Sequence, residues 1–286
     1  MRPLIAAVCV AAALSGCAII IAPNDDVRVV GPWTSSNAIQ GNGTVAVENR
    51  PLAAAQAFEV AGPFHVDVRV GGVQALEIEG DSNLLPLVRT ESNGSTLRIF
   101  IDGNVNPRNT LRVRYTAPAI NKIVSSGSGA MTVSNLTGGS FSIASTGSRN
   151  VQLAGKVDRL DVSLTGSGNV NASALASTGA NLNLVGSGRV TLGPVNGDAL
   201  TANLRGSGDL AATGAVKSLN ARVHGSGDAN FSGLTSEIAD LVSNGSGDIT
   251  ANVKQSVVAS AQGSGKITVY GNPAQRNTSG RHVQVM

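Results

Sequence analysis

The 286-residue chain is poor in several kinds of residue, and each shortage excludes something. It has two cysteines, Cys9 and Cys17, so no disulfide framework holds it together. Aromatic residues make up 3% of the chain with a single tryptophan, Trp33, too few to line a sugar-stacking groove. Charged residues are also scarce, at 14%, and the formal net charge is +3, one unit of which is Arg2; this is no polybasic surface for nucleic acid. The three histidines, His65, His224 and His282, lie far apart and match no cysteine or acid cluster, which argues against zinc or histidine catalysis. The longest apolar run, Leu4 to Leu14, is too short for an ordinary membrane span.

That run has another reading. It follows Arg2 and ends in Leu14-Ser15-Gly16-Cys17, so a basic residue, a short apolar core and small residues precede a cleavage point, as in a secretory signal. Leu-Ser-Gly-Cys resembles the bacterial lipobox. The resemblance implies removal of residues 1–16, lipid on Cys17 and, with Ala18 rather than Asp next, delivery to the outer membrane. The expected location is therefore the outer membrane or periplasm, with the membrane as partner through the N-terminal lipid. Residues 17–56, with Pro23, Gly31, Pro32, Gly41 and Gly43, read as a tether, broken at most by a short strand at Thr44–Val47.

What the chain has in abundance is glycine, 35 residues, and it is placed periodically. Gly-Ser-Gly begins at Gly127, Gly166, Gly186, Gly206, Gly225, Gly245 and Gly263, with the variant Gly147-Ser148-Arg149. The marks fall every 18 to 20 residues, which is the signature of a solenoid. Four residues after the first Gly stand Met131, Val151, Val170, Val190, Leu210, Ala229, Ile249 and Ile267. Six after it stand Val133, Leu153, Ala172, Leu192, Ala212, Phe231, Ala251 and Val269, and the column between is polar except for Ala211. Alternation of period two means a strand with one buried face. Four before the Gly the column is again apolar, from Ile123 to Ala259, and Leu136, Leu175, Val195 and Leu234 are expected to point inward from a looser third side. One such unit cannot bury its own apolar face, but stacked units can. The prediction is an all-β, parallel β-helix of about eight turns over 121–286, right-handed by the usual chain chirality, and about 38 Å long at about 4.8 Å per turn. Residues 57–120, with longer and less regular strands, read as first turns plus a cap.

Glycine suits a sharp corner repeated at each level, and the invariant serines, Ser128 through Ser264, are expected to form a hydroxyl ladder up the stack, with ligand binding as the alternative. A phosphate loop is excluded, because a strand and not a helix follows every Gly-Ser-Gly.

Several stretches resemble the auto-transporter adhesin head GIN domain family of bacterial envelope proteins. They are Phe58-Glu59-Val60, Gly62-Pro63-Phe64, Leu76 through Leu85, Thr96 to Ile99, the Gly-Ser-Gly series, and Ile267 through Pro273. The resemblance covers roughly 58–286 and implies a β-helix-like fold outside the cytoplasm, with adhesion as the suggested role. A closing Gly-Ser-Gly is replaced by Ser279-Gly280-Arg281, which leaves the last turn open to question.

Three residues after the corner glycine, Asp209, Asp228 and Asp248 recur in successive repeats, flanked by Arg189 and Lys266. Stacked carboxylates repel unless a cation or partner intervenes. The strip reads as a solvated ladder with neutralised ends; weak calcium or other ligand binding is the second reading, and a polysaccharide-cleaving site the third. No long loop interrupts the repeats to build an active site, and no nucleophile elbow is present. The expectation is a non-enzymatic envelope lipoprotein with no cofactor, no catalytic residue and no metal site, an adhesin or surface-binding module for glycan or an envelope protein. The alternative is a β-helix lyase or hydrolase working through the aspartate strip.

Overall fold

The computed structural model describes residues 38–286 apart from 53 and 54; the expected signal segment, Cys17 and the first part of the expected tether lie outside the described residues. Short strands come first in the chain: β1 (Ile39–Gln40), β2 (Val45–Asn49), β3 (Ala57–Ala61), β4 (His65–Val70) and β5 (Ala75–Asp81). After a 3-10 turn at Leu85–Leu87 come β6 (Val88–Ser92), β7 (Thr96–Ile101), β8 (Val105–Asn106), β9 (Arg112–Ala117) and β10 (Lys122–Gly127). Seven long strands, each bent round a full coil, follow: β11 (Ala130–Gly147), β12 (Asn150–Gly166), β13 (Asn169–Gly186), β14 (Arg189–Gly206), β15 (Asp209–Gly225), β16 (Ala229–Gly245) and β17 (Ile249–Gly263). β18 (Ile267–Tyr270), β19 (Gln275–Ser279) and β20 (Val283–Val285) close the chain.

Each long strand pairs in parallel with its neighbours in the register that the repeat predicts, for example Val170 with Val190 and Gly186 with Gly206. The protein is a β-solenoid of stacked parallel coils, and no α-helix occurs among the described residues. The columns four before, four after and six after the corner glycine are buried at every level, as are Leu136, Leu175, Val195 and Leu234. Two further inward columns complete the core. One runs through Phe141, Leu160 and Leu200; the other through Ser125, Ser145, Leu164, Leu184 and Leu204. Registers slip on the third side, as between Ala172 and Ser177, which is why the sequence period is irregular there.

The N-terminal part does continue the stack, but not in chain order. β3 and β4 lie directly beneath β10 and β11, whereas β7 and β9, later in the chain, lie beneath β3 and β4. The chain therefore lays its second level before its first, then passes that second level to start the third. Below the first level the parallel pattern stops. β5 runs antiparallel beside β9, β6 antiparallel beside β7, and β2 antiparallel beside β5. The expected tether through residue 56 needs correction here: β1 and β2, which fall within it, are paired strands of this cap. Burial drives that pairing, because Ala46 packs on the core and the β2 backbone completes the edge of β5.

At the other end the questioned last turn exists. β19 pairs with β17 and β20 with β18, but the corner is three residues shorter, since Ser260 to Ile267 is matched by Ser279 to Val283. Arg276 and Thr278 stand in register with the buried Val257 and Ala259. Polar side chains at inward positions of a terminal strand discourage a further strand from adding to it.

Candidate functional site

The repeated corner is the first feature to build. The leading glycines from Gly127 to Gly263 all have φ between +107° and +138°. A Cβ there would lie 2.2 to 2.6 Å from the carbonyl oxygen of the glycine one level below. Glycine is required twice over, by conformation and by the closeness of the coils. The ladder that joins the corners is made of backbone: the Ser148 N–H donates to Gly127 O at 3.1 Å, Ser207 to Gly186 O at 3.0 Å and Ser246 to Gly225 O at 2.8 Å, with the same bond at the levels between. The expected hydroxyl ladder is not formed. All eight corner serines are exposed, and among the described residues none of their hydroxyls donates to another. The coil spacing explains this, since about 4.8 Å is too far for a direct bond between hydroxyls that point outward. The fold uses the serine N–H and leaves a straight ridge of free hydroxyls.

Beside this ridge runs the polar strip. The structure stacks Asn150, Asn169, Arg189, Asp209, Asp228, Asp248 and Lys266 in one column, tied together by side-chain and backbone bonds. Asn150 Oδ1 accepts from the Asn169 amide at 2.8 Å, and Asn169 Oδ1 from the Arg189 N–H at 3.1 Å. Arg189 holds Asp209 Oδ2 through Nη2 at 2.7 Å and Nε at 3.1 Å. Asp228 Oδ1 accepts from the Asp248 N–H at 2.9 Å, and Asp248 Oδ1 from the Lys266 N–H at 2.7 Å. A backbone switch explains the aspartates. In lower coils the N–H in this column donates downward, as Asp209 does to Gly188 O at 3.1 Å. From Asp228 on, the bond reverses: the N–H groups of Leu210 and Ala229 donate upward to Asp228 O and Asp248 O, both at 2.8 Å. The N–H groups of Asp248 and Lys266 are thereby freed, and the carboxylates take them. Asp209, Asp228 and Asp248 thus cap backbone and an arginine, and among the described residues no three His, Cys, Asp or Glu side chains gather as a metal site. His224 Nδ1 lies 3.3 Å from Asn244 Nδ2, and among the described residues His65 and His282 join it in no metal cluster.

A shallow depression of about 470 Å³ opens on the third side, over Gly179 and Ala180. Asp158 and Arg159 rim it on the coil below and Asp198 on the coil above; Thr178, Asn181 and Thr201 complete its polar lining. Its cause is a bulge, because Val195 to Leu200 in one coil faces the shorter Ser177 to Ala180 in the next. Lys217 lies 2.7 Å from Asp198 Oδ1, and this hydrogen-bonded charge holds the Asp198 carboxyl below the usual carboxylate range.

Two buried charges escaped sequence reasoning. Arg149, in the third position of its corner where the other repeats have glycine, is fully buried. Its side chain drops two levels: Nη1 donates to Phe64 O, and Nη2 to Gly62 O at 2.7 Å and Ser126 O at 3.4 Å. The corner below yields to it, for Gly129 is the one third-position glycine with positive φ, +102°. Burial pushes the Arg149 guanidinium down to about 10, so it remains charged at neutral pH. Asp81, also fully buried, accepts from Arg108 N at 2.8 Å, Asn109 N at 3.0 Å, Gly43 N at 2.9 Å and Asn109 Nδ2 at 2.6 Å. Burial alone would raise its carboxyl; these donors outweigh it and hold the group below the usual range. The one sequence signal for Arg149 was its break in the Gly-Ser-Gly column; for Asp81 there was none.

Comparison with known proteins agrees with this architecture. The family described as "Putative auto-transporter adhesin, head GIN domain" matches residues 56–179 and again 171–273. A crystal structure described as a putative lipid binding protein of Parabacteroides distasonis is 21% identical, covering 87% of this chain and 99% of that one, with a TM-score of 0.66. A putative adhesin of the same organism is 22% identical over 87% and 100% of the two chains, at 0.65. A putative adhesin of Parabacteroides merdae is 17% identical over 87% and 98%, at 0.62. At these identities the likeness is one of fold. No curated protein matches the chain.

Proposed function

The chain belongs to the auto-transporter adhesin head GIN domain family, and from that premise we propose that it is a non-enzymatic, lipid-anchored cell-envelope protein that adheres through its corner ridge to glycan or to another envelope protein. The observation that carries this reading is the ridge itself. Eight exposed serine hydroxyls stand in a line at coil spacing, and the fold uses the N–H, not the hydroxyl, of the seven from Ser148 to Ser264. Beside them the strip adds amide, carboxylate and guanidinium groups, so one face offers donors and acceptors along about 34 Å. Contacts that are weak singly sum along such a rigid array. The same array favours binding over catalysis, because the strip carboxylates are spent on backbone N–H groups and Arg189 and do not converge. Lipid on Cys17, motivated by Leu14-Ser15-Gly16-Cys17, would hold the body at the membrane, with Ala18 favouring the outer one.

The test is a panel of glycans and envelope fractions probed with wild type and with the Ser187→Ala, Ser207→Ala, Ser226→Ala, Ser246→Ala quadruple variant. The variant should keep its melting temperature and lose most of the binding. Undiminished binding by the variant, or mutant-sensitive turnover of any glycan, would overturn the reading. Mass spectrometry of the membrane fraction should find a lipidated Cys17 as first residue; a free Cys17 in soluble protein would remove the anchor.

A further inference from the structure

Arg149 brings a charge into the core with no acid to meet it. None of the ion pairs among the described residues includes it, and beyond its bonds to Phe64, Gly62 and Ser126 oxygens its Nε is buried without a partner. Two other side-chain atoms in the core share that condition, Ser125 Oγ and Ser145 Oγ. All three belong to one place. Ser125 and Ser145 are paired neighbours on successive levels. The same inward column in higher coils shows where such side chains lie. Ser243 Oγ reaches the carbonyl of the third corner residue of its own coil, Gly247 O, at 2.7 Å. The Leu164 side chain would sit 2.9 Å from a Cβ on the third corner residue of the coil above, Gly188. By that geometry Ser145 stands against the backbone of Arg149, and Ser125 against the root of its side chain. The column is Leu164, Leu184 and Leu204 in the next three coils, so serine replaces leucine at the two levels that the arginine crosses.

We propose that one small monovalent anion of the halide class binds here, held by Arg149 Nε–H and the hydroxyls of Ser125 and Ser145. The donors left over are one that can only donate and two hydroxyls free to turn towards a ligand. The charge beside them is positive and dry, and buried charges are normally paired. A water molecule is the weaker fit, because it is neutral and would leave the buried guanidinium charge unpaired. An anion accepts all three bonds and offsets the charge. The ligand binds the folded chain alone, so it stabilises by mass action.

The experiment has two arms on the full chain. Crystals grown in bromide should show an anomalous peak in contact with Arg149 Nε, and the melting temperature should rise when chloride replaces gluconate at constant ionic strength. In the Ser125→Ala, Ser145→Ala double variant, which keeps the arginine and its carbonyl bonds, the peak should vanish and the chloride response flatten. A peak without anomalous signal identifies a water and overturns the proposal, as does the absence of any peak beside Arg149 Nε. An undiminished chloride response in the double variant assigns the effect to surface screening and overturns it equally.

Discussion

Replacing one corner glycine tests the central physical claim about this solenoid. Gly206 has φ +124°, and a Cβ on it would lie 2.3 Å from Gly186 O and 3.0 Å from Gly186 C. Gly206→Ala therefore incurs two costs. A backbone conformation reserved for glycine is worth about 1–3 kcal/mol, and relieving the overlap by spreading two coils that are bonded at 3.0 Å is worth about 1–3 kcal/mol more. The sum, about 2–6 kcal/mol, corresponds to a drop in melting temperature of roughly 5–20 °C for a body of this size. The next residue supplies the control. Ser207→Ala keeps the N–H that donates to Gly186 O and removes an exposed hydroxyl, so its effect should stay within about 0.5 kcal/mol. Thermal and urea unfolding followed by far-UV circular dichroism gives both values. Because each coil touches only its neighbours, hydrogen exchange should also place the loss in the coils around Gly206. If Gly206→Ala melts with wild type, or Ser207→Ala falls as far as it does, then the corner is not held by backbone approach and the serine ridge is not free for a ligand.

Three further outcomes follow from the same geometry. Val190→Asp should cost several kcal/mol by burying an unpaired carboxylate, of the order of 3 kcal/mol or more, whereas Thr191→Asp on the outer face should cost little; equal loss in denaturant melts would refute the strand faces. Asp228→Asn retains an oxygen to accept from the Asp248 N–H, so stability should change by less than about 1 kcal/mol; a loss of several kcal/mol would mean that the charge itself is needed. Asp81→Asn should cost about 2–4 kcal/mol, since an amide cannot accept the four bonds of the carboxylate. In wild type the Asp81 carboxyl is held below its unfolded value of about 3.9, so its contribution is full above that pH and is lost as pH falls through the lowered value. The acid limb of a stability-against-pH curve should therefore be shallower in the variant, and superimposable limbs would show that Asp81 does not carry it.

Repetition made most of the fold legible from sequence. A period of about 20 residues, with apolar residues four before, four after and six after each glycine, leaves a strand no choice of face, and the register follows because a slip of one residue would turn every buried side chain outward. The polar strip was legible for the same reason, as equal offsets in a solenoid become neighbours. What the strip does was not: whether Asp228 meets a cation or a backbone N–H depends on the reversed bond at Leu210, which no residue type announces. Serine in every corner suggested a hydroxyl ladder, and only the outward direction of those side chains at coil spacing ruled it out. The order of the first levels, with β7 and β9 beneath β3 and β4, rests on contacts between segments far apart in the chain, to which a local pattern is blind. Arg149 belongs with these, since a lone departure from Gly-Ser-Gly reads as a solvent-facing variant until the coils below are in place, and its carbonyl partners, Gly62 and Phe64, lie more than 80 residues earlier. Periodicity alone determines the faces, the register and the stack; the partners of polar groups turned against the period are decided in three dimensions, where distant segments meet.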